Sequence, residues 1–140
     1  MDHLEKYQLH KSKIDALTKR FFSLFTNAGG AAPQVDEIFD LFIPEGIIIK
    51  NVGSQIEVYN LSQFVEPRRK LLTDGSLTEF EEAEISERTD IFGNIAQRFS
   101  LYYKKGIVSG KPFETRGMKS IQFVKVIKEW KMSSVAWDDE

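Results

Sequence analysis

Apolar side chains near the N-terminus recur at three- and four-residue spacing: Ile14, Leu17, Phe21, Leu24 and Phe25. This spacing predicts an amphipathic helix. The Asn-Ala-Gly-Gly segment 27–30 ends the helix, because glycine accepts the left-handed conformation of a helix C-terminus. A second, short helical face covers 35–42, and a third helical stretch runs over 60–72. Pro67 lies inside the third stretch, where the loss of a backbone hydrogen bond predicts a kink or a restart.

The rest of the chain has the pattern of β-strands. Two short strands are expected at 46–51 and 55–59, and a longer one at 78–89. After a turn at 92–94, three strand-like segments follow in succession: 94–103, 113–127 and 130–137. The segment 106–112 holds two glycines and one proline, which is typical of a flexible loop. Helices first and a long antiparallel meander last predict an α+β fold, with three N-terminal helices packed on one curved, mostly antiparallel sheet that can enclose a ligand pocket.

Length and composition indicate a single globular domain over 1–140. A chain of 140 residues can bury a hydrophobic core without support from a metal or a disulfide. Its 41% of hydrophobic and 29% of charged residues are ordinary for such a domain. Eleven Phe, four Tyr and two Trp suit a cavity or an interface as well as a core. The absence of cysteine excludes disulfides, thiolate catalysis and cysteine-based zinc sites.

Charge and hydropathy limit the expected partners. The net charge is −2 and no basic stripe is present, so nucleic acid is not expected as a partner, because phosphate neutralisation needs clustered Lys and Arg. No apolar run approaches the ~20 residues that span a bilayer. The first residues, Met-Asp-His-Leu-Glu-Lys, lack the apolar centre of a signal peptide. We therefore expect no membrane partner and a cytoplasmic location.

The densest acidic feature is the segment 79–84, Glu-Phe-Glu-Glu-Ala-Glu. Because strand residues alternate between faces, Glu82 and Glu84 share one face. An inward-facing carboxylate pair would supply a general acid or base, and Glu84 is the candidate catalytic residue. Two alternatives remain open: solvated charges at a sheet edge, and ion pairs from these carboxylates to Arg98 or Arg116.

No metal site or cofactor is expected from the pattern. His3 and His10 share a helix face near the N-terminus, where histidines are usually solvated, and no histidine lies near the acidic segment.

Alternation in the later strands separates two kinds of face. One set of alternating residues is mixed polar: Arg98, Ser100, Tyr102, Met118, Ser120 and Gln122. The opposite set is largely apolar: Phe99, Leu101, Tyr103, Ile121 and Phe123. A sheet with one polar face normally exposes it to water. A few convergent polar groups in an aromatic wall are instead the usual form of a small-molecule site.

Several short motifs occur in a definite order after residue 14: Asp-Leu-Phe at 40–42, Phe64 with Arg68 and Leu72, Phe-Glu-Glu at 80–82 with Glu84, Phe-Gly-Asn-Ile-Ala at 92–96 with Ser100, the segment 116–122, and Trp130 with Trp137. In these motifs and in its order of elements the chain resembles the nuclear transport factor 2-like (NTF2-like, or cystatin-like) superfamily, and within it the bacterial SnoaL-like group. The resemblance implies a cone-shaped α+β fold. It leaves the reaction open, because the superfamily includes isomerases, dehydratases, cyclases, hydrolases and proteins without catalysis.

Ketosteroid isomerase is the informative member of that superfamily, since it uses a carboxylate base, a tyrosine and a protonated carboxylic acid. The resemblance puts Lys50 at the position of the base, Phe22 at that of the tyrosine and Ser120 at that of the acid. None of these side chains can play the original role. Steroid isomerisation by that mechanism is therefore not expected.

The resemblance further implies that Ser120 and Gln122 line the interior of the cone and that Trp137 is a wall aromatic. We expect six residues to line a ligand site: Arg98, Ser100, Tyr102, Ser120, Gln122 and Trp137. Ser100, Ser120 and Gln122 are expected to converge on one cavity, and a hydrogen-bonded core cluster without a ligand is the alternative.

The leading hypothesis for function is a domain that binds a small molecule of unknown identity, with lyase or isomerase chemistry left open. The alternative is a non-catalytic dimerisation or assembly module. In either case we expect a homodimer formed through the sheet, because three helices cannot cover both of its faces.

Overall fold

The computed structural model describes residues 2–140, and its helices lie in the first half of the chain. There are three α-helices and two single 3₁₀ turns in this range: α1 (His3–Ser23), the turns Ala28–Gly30 and Val35–Glu37, α2 (Ile38–Leu41) and α3 (Leu61–Thr73). None of these helices has the length and apolar character needed to cross a bilayer.

Six strands form one sheet: β1 (Phe42–Lys50), β2 (Glu57–Tyr59), β3 (Leu77–Phe92), β4 (Ile95–Val108), β5 (Lys111–Val126) and β6 (Glu129–Asp139). The spatial order is β2-β1-β6-β5-β4-β3. Within residues 2–140, β1 and β6 pair in parallel and the other neighbouring strands pair antiparallel. The predicted α+β class, with three helices on a mostly antiparallel sheet, is therefore confirmed.

α3 runs without interruption through Pro67, so the predicted restart is wrong. The helix begins at a reciprocal capping box, in which Asn60 and Gln63 each accept a backbone hydrogen bond from the other. Proline removes one hydrogen bond to the carbonyl of Gln63, an exposed residue whose carbonyl water can reach. Buried Phe64 and Leu72, on either side of the proline, hold the helix on the core.

The predicted flexible loop at 106–112 is also wrong. β4 continues to Val108 and β5 begins at Lys111, so a two-residue turn joins them. Ser109 and Gly110 both have positive φ, 51° and 79°, as a tight hairpin turn of the I′ type requires. The hairpin therefore has a defined register instead of a loose connection.

The helices pack on one face of the sheet, which we call the inner face. Along β4, alternate residues from Ala96 to Tyr102 are buried on this face, whereas Phe99 is half exposed on the other, outer face. Directly paired residues share a face, so the partners of this set on β5 also point inward: Phe123, Ile121, Lys119 and Gly117. This register decides which side chains can reach a site under the helices.

Candidate functional site

The inner face and the helices surround a cavity of about 300 Å³, which we call the cone cavity. Side chains from α1, α3 and every strand except β2 contribute to its wall. Six of the wall residues are aromatic: Phe21, Phe25, Phe64, Phe80, Phe113 and Trp137.

Edge-to-face ring contacts orient part of this wall. Phe64 from α3 meets Phe25 with ring centroids 5.7 Å apart and an interplanar angle of 89°. The same ring meets Trp137 of β6 at 5.8 Å and 80°. Edge-to-face pairs stabilise a defined ring orientation, so the wall is preformed.

Five charged residues also line the cone cavity: Lys50, Arg68, Lys104, Lys119 and Glu82. Lys104 Nζ lies 2.7 Å from Asp139 Oδ2, and Lys50 Nζ is 4.0 Å from Glu57 Oε2. Within the wall itself, four cations thus face a single carboxylate.

Arg68 is held by aromatic groups and the backbone. Its guanidinium carbon lies 3.6 Å from the ring centroid of Phe64 and 5.5 Å from that of Tyr59. Its Nη1 donates to the carbonyl of Phe64 at 3.2 Å. Burial lowers the pKa of Arg68, and the nearby Tyr59 and Glu57 oppose this change. Among residues 2–140, Arg68 is in no salt bridge, so its charge is available to a ligand in the cavity.

Lys119 is the most enclosed of these cations. Its Nζ lies 4.2 Å from the ring centroid of Tyr102 and 4.4 Å from that of Trp137. Its described carboxylate partner is Glu82, at 3.5 Å. Burial lowers the pKa of Lys119, and the charge of Lys104 lowers it further. A largely desolvated amine therefore forms part of the cavity wall.

A chain of hydrogen bonds between polar side chains, which we call the polar chain, lies next to Lys119 and supports this part of the wall. The Tyr102 hydroxyl donates to Asp139, which also accepts from Lys104. Burial raises the pKa of Tyr102, and the hydrogen bond to Asp139 raises it further, so the phenol stays protonated. Gly117 makes room for this contact, because a Cβ there would lie 2.5 Å from Asp139 Oδ1 and 2.7 Å from the Tyr102 hydroxyl.

A second polar cluster lies between α1 and β3, in a cleft of about 610 Å³. Arg98 binds both oxygens of Glu84, with Nε–Oε2 at 3.0 Å and Nη2–Oε1 at 2.6 Å. Its Nη1 also donates to Asp15 Oδ1 at 2.6 Å, and the Ser100 hydroxyl donates to Glu84. Of the alternatives for Glu84, the structure therefore contains the ion pair with Arg98. Both oxygens of this candidate catalytic carboxylate are already bound, and its catalytic role stays untested.

The structure divides the predicted ligand residues among several places. Trp137 lines the cone cavity, and Tyr102 lies directly behind Lys119. Arg98 lines the cleft between α1 and β3, and Ser100 is fully buried beside Glu84. Only Trp137 of the six is thus a wall residue of the cone cavity.

Ser120 and Gln122 lie on the outer face, so the predicted convergence with Ser100 is wrong. Ser120 pairs with the outward-facing Phe99, whereas Ser100 pairs with Lys119. Ser120, to which the resemblance assigns the position of the catalytic acid, therefore points outward, and its neighbour Lys119 points inward. A shift of one residue in a strand exchanges its two faces.

The sequence interpretation missed most charged residues of the cone cavity. Lys119 lies in an alternating series with Ile121 and Phe123, which are apolar and buried. A lone lysine in an apolar series is the signal that would have found it. Glu82 was recognised as facing the same way as Glu84, and its partner is Lys119 instead of Arg98 or Arg116.

Histidines do not form a site in the described chain. His10 Nδ1 accepts a hydrogen bond from Trp130 Nε1 at 3.1 Å. Residues 2–140 contain no group of three or more His, Cys, Asp or Glu side chains placed to hold a metal ion.

Comparison with known proteins identifies the fold. No family model matches the sequence, and no curated protein matches it significantly. Solved structures do match. An NTF2-like superfamily protein from Salmonella enterica serovar Typhimurium has a TM-score of 0.75 at 17% identity, over 94% of this chain and 91% of its own. The chain has the NTF2-like fold.

Two further structures agree with this fold. LinA has a TM-score of 0.80 at 9% identity, over 96% of this chain and 88% of its own. An NTF2-like protein of unknown function from Silicibacter pomeroyi has a TM-score of 0.65 at 13% identity, over 96% and 98%. At identities this low the likeness establishes the fold and leaves the activity open.

Proposed function

We propose that the cone cavity binds a small, largely apolar molecule that carries one anionic group such as a carboxylate. The observation that carries this proposal is the excess of cations in an aromatic wall. Four cationic side chains and one carboxylate line the cavity. A volume of about 300 Å³ lies at the lower end of the range of small-molecule sites.

Arg68 is the favoured anchor for the anion. A guanidinium presents paired N–H donors that match a carboxylate. Its stacking on Phe64 fixes the plane of the guanidinium while its remaining donors stay free of described carboxylates. The apolar part of the ligand would then contact the aromatic wall, where burial of apolar surface contributes to binding.

Calorimetric titration with phenylacetate tests this proposal, and the chain offers a matched control. Arg68→Gln should weaken binding about tenfold or more, the ~1.4 kcal/mol or more of a charge-assisted hydrogen bond. The neighbouring Arg69 points away from the cavity and pairs with Asp36 and Glu66, so Arg69→Gln should leave the affinity unchanged. Equal affinities of both variants and the wild type would show that Arg68 is not the anchor.

A variant that fills the cavity provides an independent test. Val108 lies at its rim and is partly exposed, so Val108→Trp should obstruct the space without disturbing the buried core. Loss of phenylacetate binding in this variant is expected. Unchanged binding would place the ligand outside the cone cavity.

The outer face of the sheet favours an assembly role beside ligand binding. Its central residues are neutral and mostly apolar: Ile47, Ile49, Phe99, Leu101, Met118, Ser120, Gln122 and Ala136. Phe99 is 50% exposed and Met118 is 42% exposed. Because a neutral face can meet a second copy of itself without burying like charges, we propose that it forms a homodimer.

The proposal also covers the subgroup within the fold and the class of reaction. The motifs that resemble the SnoaL-like group support membership in it, and a lyase or isomerase reaction is compatible with a cavity that holds both an amine and a carboxylate. The expected cytoplasmic location stays a prediction.

A further inference from the structure

We propose that Lys119 is a nucleophilic amine that forms an imine with an apolar aldehyde or ketone bound in the cone cavity. This inference rests on the ligand-binding role proposed for that cavity. It adds a class of substrate, carbonyl compounds, and a covalent step.

The position of Lys119 supports this role. The residue is only 3% exposed, yet it lines the cavity, so its amine faces the cavity and is shielded from bulk water. Trp137 beside it also lines the cavity, and Phe64 packs on that indole. An apolar carbonyl compound in this space would lie against the rings with its polar carbon next to the amine.

Burial favours the neutral form of the Lys119 amine more than a site at the protein surface would. Burial lowers the pKa of Lys119, and so does Lys104. Glu82 and Asp139 act in the opposite direction, but the net pKa is lowered. Only the neutral amine has the lone pair that attacks a carbonyl, so a lowered pKa increases the reactive fraction near neutral pH.

The reaction requires two proton transfers, and Glu82 is placed to carry them. The Lys119 lone pair adds to the carbonyl carbon, and the π electrons of the C=O bond move to oxygen. The nitrogen then loses a proton to Glu82, 3.5 Å away, and the oxygen gains one, which gives a carbinolamine. The remaining proton of the nitrogen then passes through Glu82 to the same oxygen, which leaves as water while the nitrogen lone pair forms the C=N bond. Nothing is oxidised or reduced, and the products are an imine and one water.

Reductive trapping tests the proposal on the full chain. The protein is incubated with benzaldehyde and cyanoborohydride at about pH 7, where ordinary lysines with a pKa near 10.4 are almost fully protonated. Intact-mass and peptide mass spectrometry then locate the benzyl group. We expect one addition, at Lys119, before any at exposed lysines such as Lys13 or Lys128. Labelling of those exposed lysines with Lys119 unmodified would overturn the proposal.

Two variants separate nucleophilic from electrostatic roles. Lys119→Arg keeps the positive charge and removes the nucleophile, so it should abolish the fast addition. Glu82→Gln keeps the side-chain shape and removes the proton carrier, so it should slow trapping at Lys119 by about a hundredfold, the lower end of the range for general acid–base catalysis. Trapping that is equally fast in the wild type and in Glu82→Gln would remove Glu82 from the reaction.

Phenylacetate distinguishes failure of this inference from failure of the proposed ligand site. If phenylacetate binds but no trapping occurs at Lys119, the cavity binds ligands and the amine is not nucleophilic. If Lys119 is trapped and phenylacetate neither binds nor slows the trapping, the inference stands and the anion-binding role is wrong.

Discussion

Lys119 Nζ lies 3.5 Å from Glu82 Oε2, and the two side chains are only 4% and 9% exposed. Both charges have left water, where each was well solvated, and this desolvation offsets much of their attraction. Such a pair is costly to break, although it contributes little net stability compared with two apolar side chains. The pair is therefore better understood as a reactive or recognition group than as a source of stability.

A double-mutant cycle should reveal this relationship. Lys119→Met alone leaves the Glu82 carboxylate buried without its partner and should lower the free energy of unfolding by about 3 kcal/mol. Lys119→Met combined with Glu82→Leu should recover most of that loss, because no charge remains buried. Urea unfolding of the four proteins measures the coupling. Additive losses in the double variant would mean that the two groups do not interact.

Arg98 should be essential for the stability of the contact between α1 and β3. It binds Glu84 and Asp15 at once, and Arg98→Met would leave both carboxylates without this partner. We expect a loss of about 3–5 kcal/mol in the free energy of unfolding. Arg88 on the same sheet is exposed, so Arg88→Met should change stability by about 0.5 kcal/mol or less. Similar effects of the two substitutions would contradict the central role of Arg98.

Gly117→Ala should damage the polar chain beneath the cone cavity. The added methyl group would lie 2.5 Å from Asp139 Oδ1, so the Tyr102–Asp139 hydrogen bond has to open. We expect a lower melting temperature and weaker phenylacetate binding, because Tyr102 also packs on Lys119. Gly117→Ala with unchanged stability would show that the backbone shifts easily here.

Acid should destabilise the fold by protonating two carboxylates, Asp139 and Asp15. Burial acts to raise the pKa of Asp139, but hydrogen bonds from Lys104 and Tyr102 outweigh it, and the net pKa is lowered. The pKa of Asp15 is likewise lowered, because Arg98 and Lys11 outweigh its burial.

A carboxyl group with a lowered folded-state pKa contributes stability above its unfolded pKa, near 3.9, and loses it as the pH falls through the folded value. The free energy of unfolding, measured in urea, should therefore fall as the pH is lowered from about 5 to below 3. Asp139→Asn should make this decrease smaller. A decrease of the same size in Asp139→Asn would mean that other carboxyl groups account for it.

The outer face should hold two copies of the chain together. Sedimentation at micromolar concentration should show twice the monomer mass of 16.1 kDa. Phe99→Asp puts a charge in the centre of that face and should give the monomer. Phe92 is more exposed but lies at the end of β3, so Phe92→Asp is the control that should stay dimeric. A wild-type protein that sediments only as a 16.1 kDa species would refute the dimer.

Local pattern was sufficient for the order of the helices and strands and for which residues within one element share a face. The spacing of Ile14 and Phe21 predicted α1, and alternation placed Arg98, Ser100 and Tyr102 together on one face of β4. Both results depend on backbone periods of a single element, which the order of residues alone determines. The same reasoning correctly put Glu82 and Glu84 on a common face.

The tertiary structure decided which faces meet. In the β4–β5 hairpin, Val108 pairs with Lys111 across a two-residue turn, and this turn puts Ser100 opposite Lys119. The flexible loop predicted at 106–112 left that register undetermined, and a change of one residue would have put Ser100 opposite Ser120. The amine of Lys119 therefore enters the cavity, and Ser120 does not. The physical reason is that pairing between strands depends on turn geometry and on burial by α1 and α3. The alternation of residues within one strand carries no information about either.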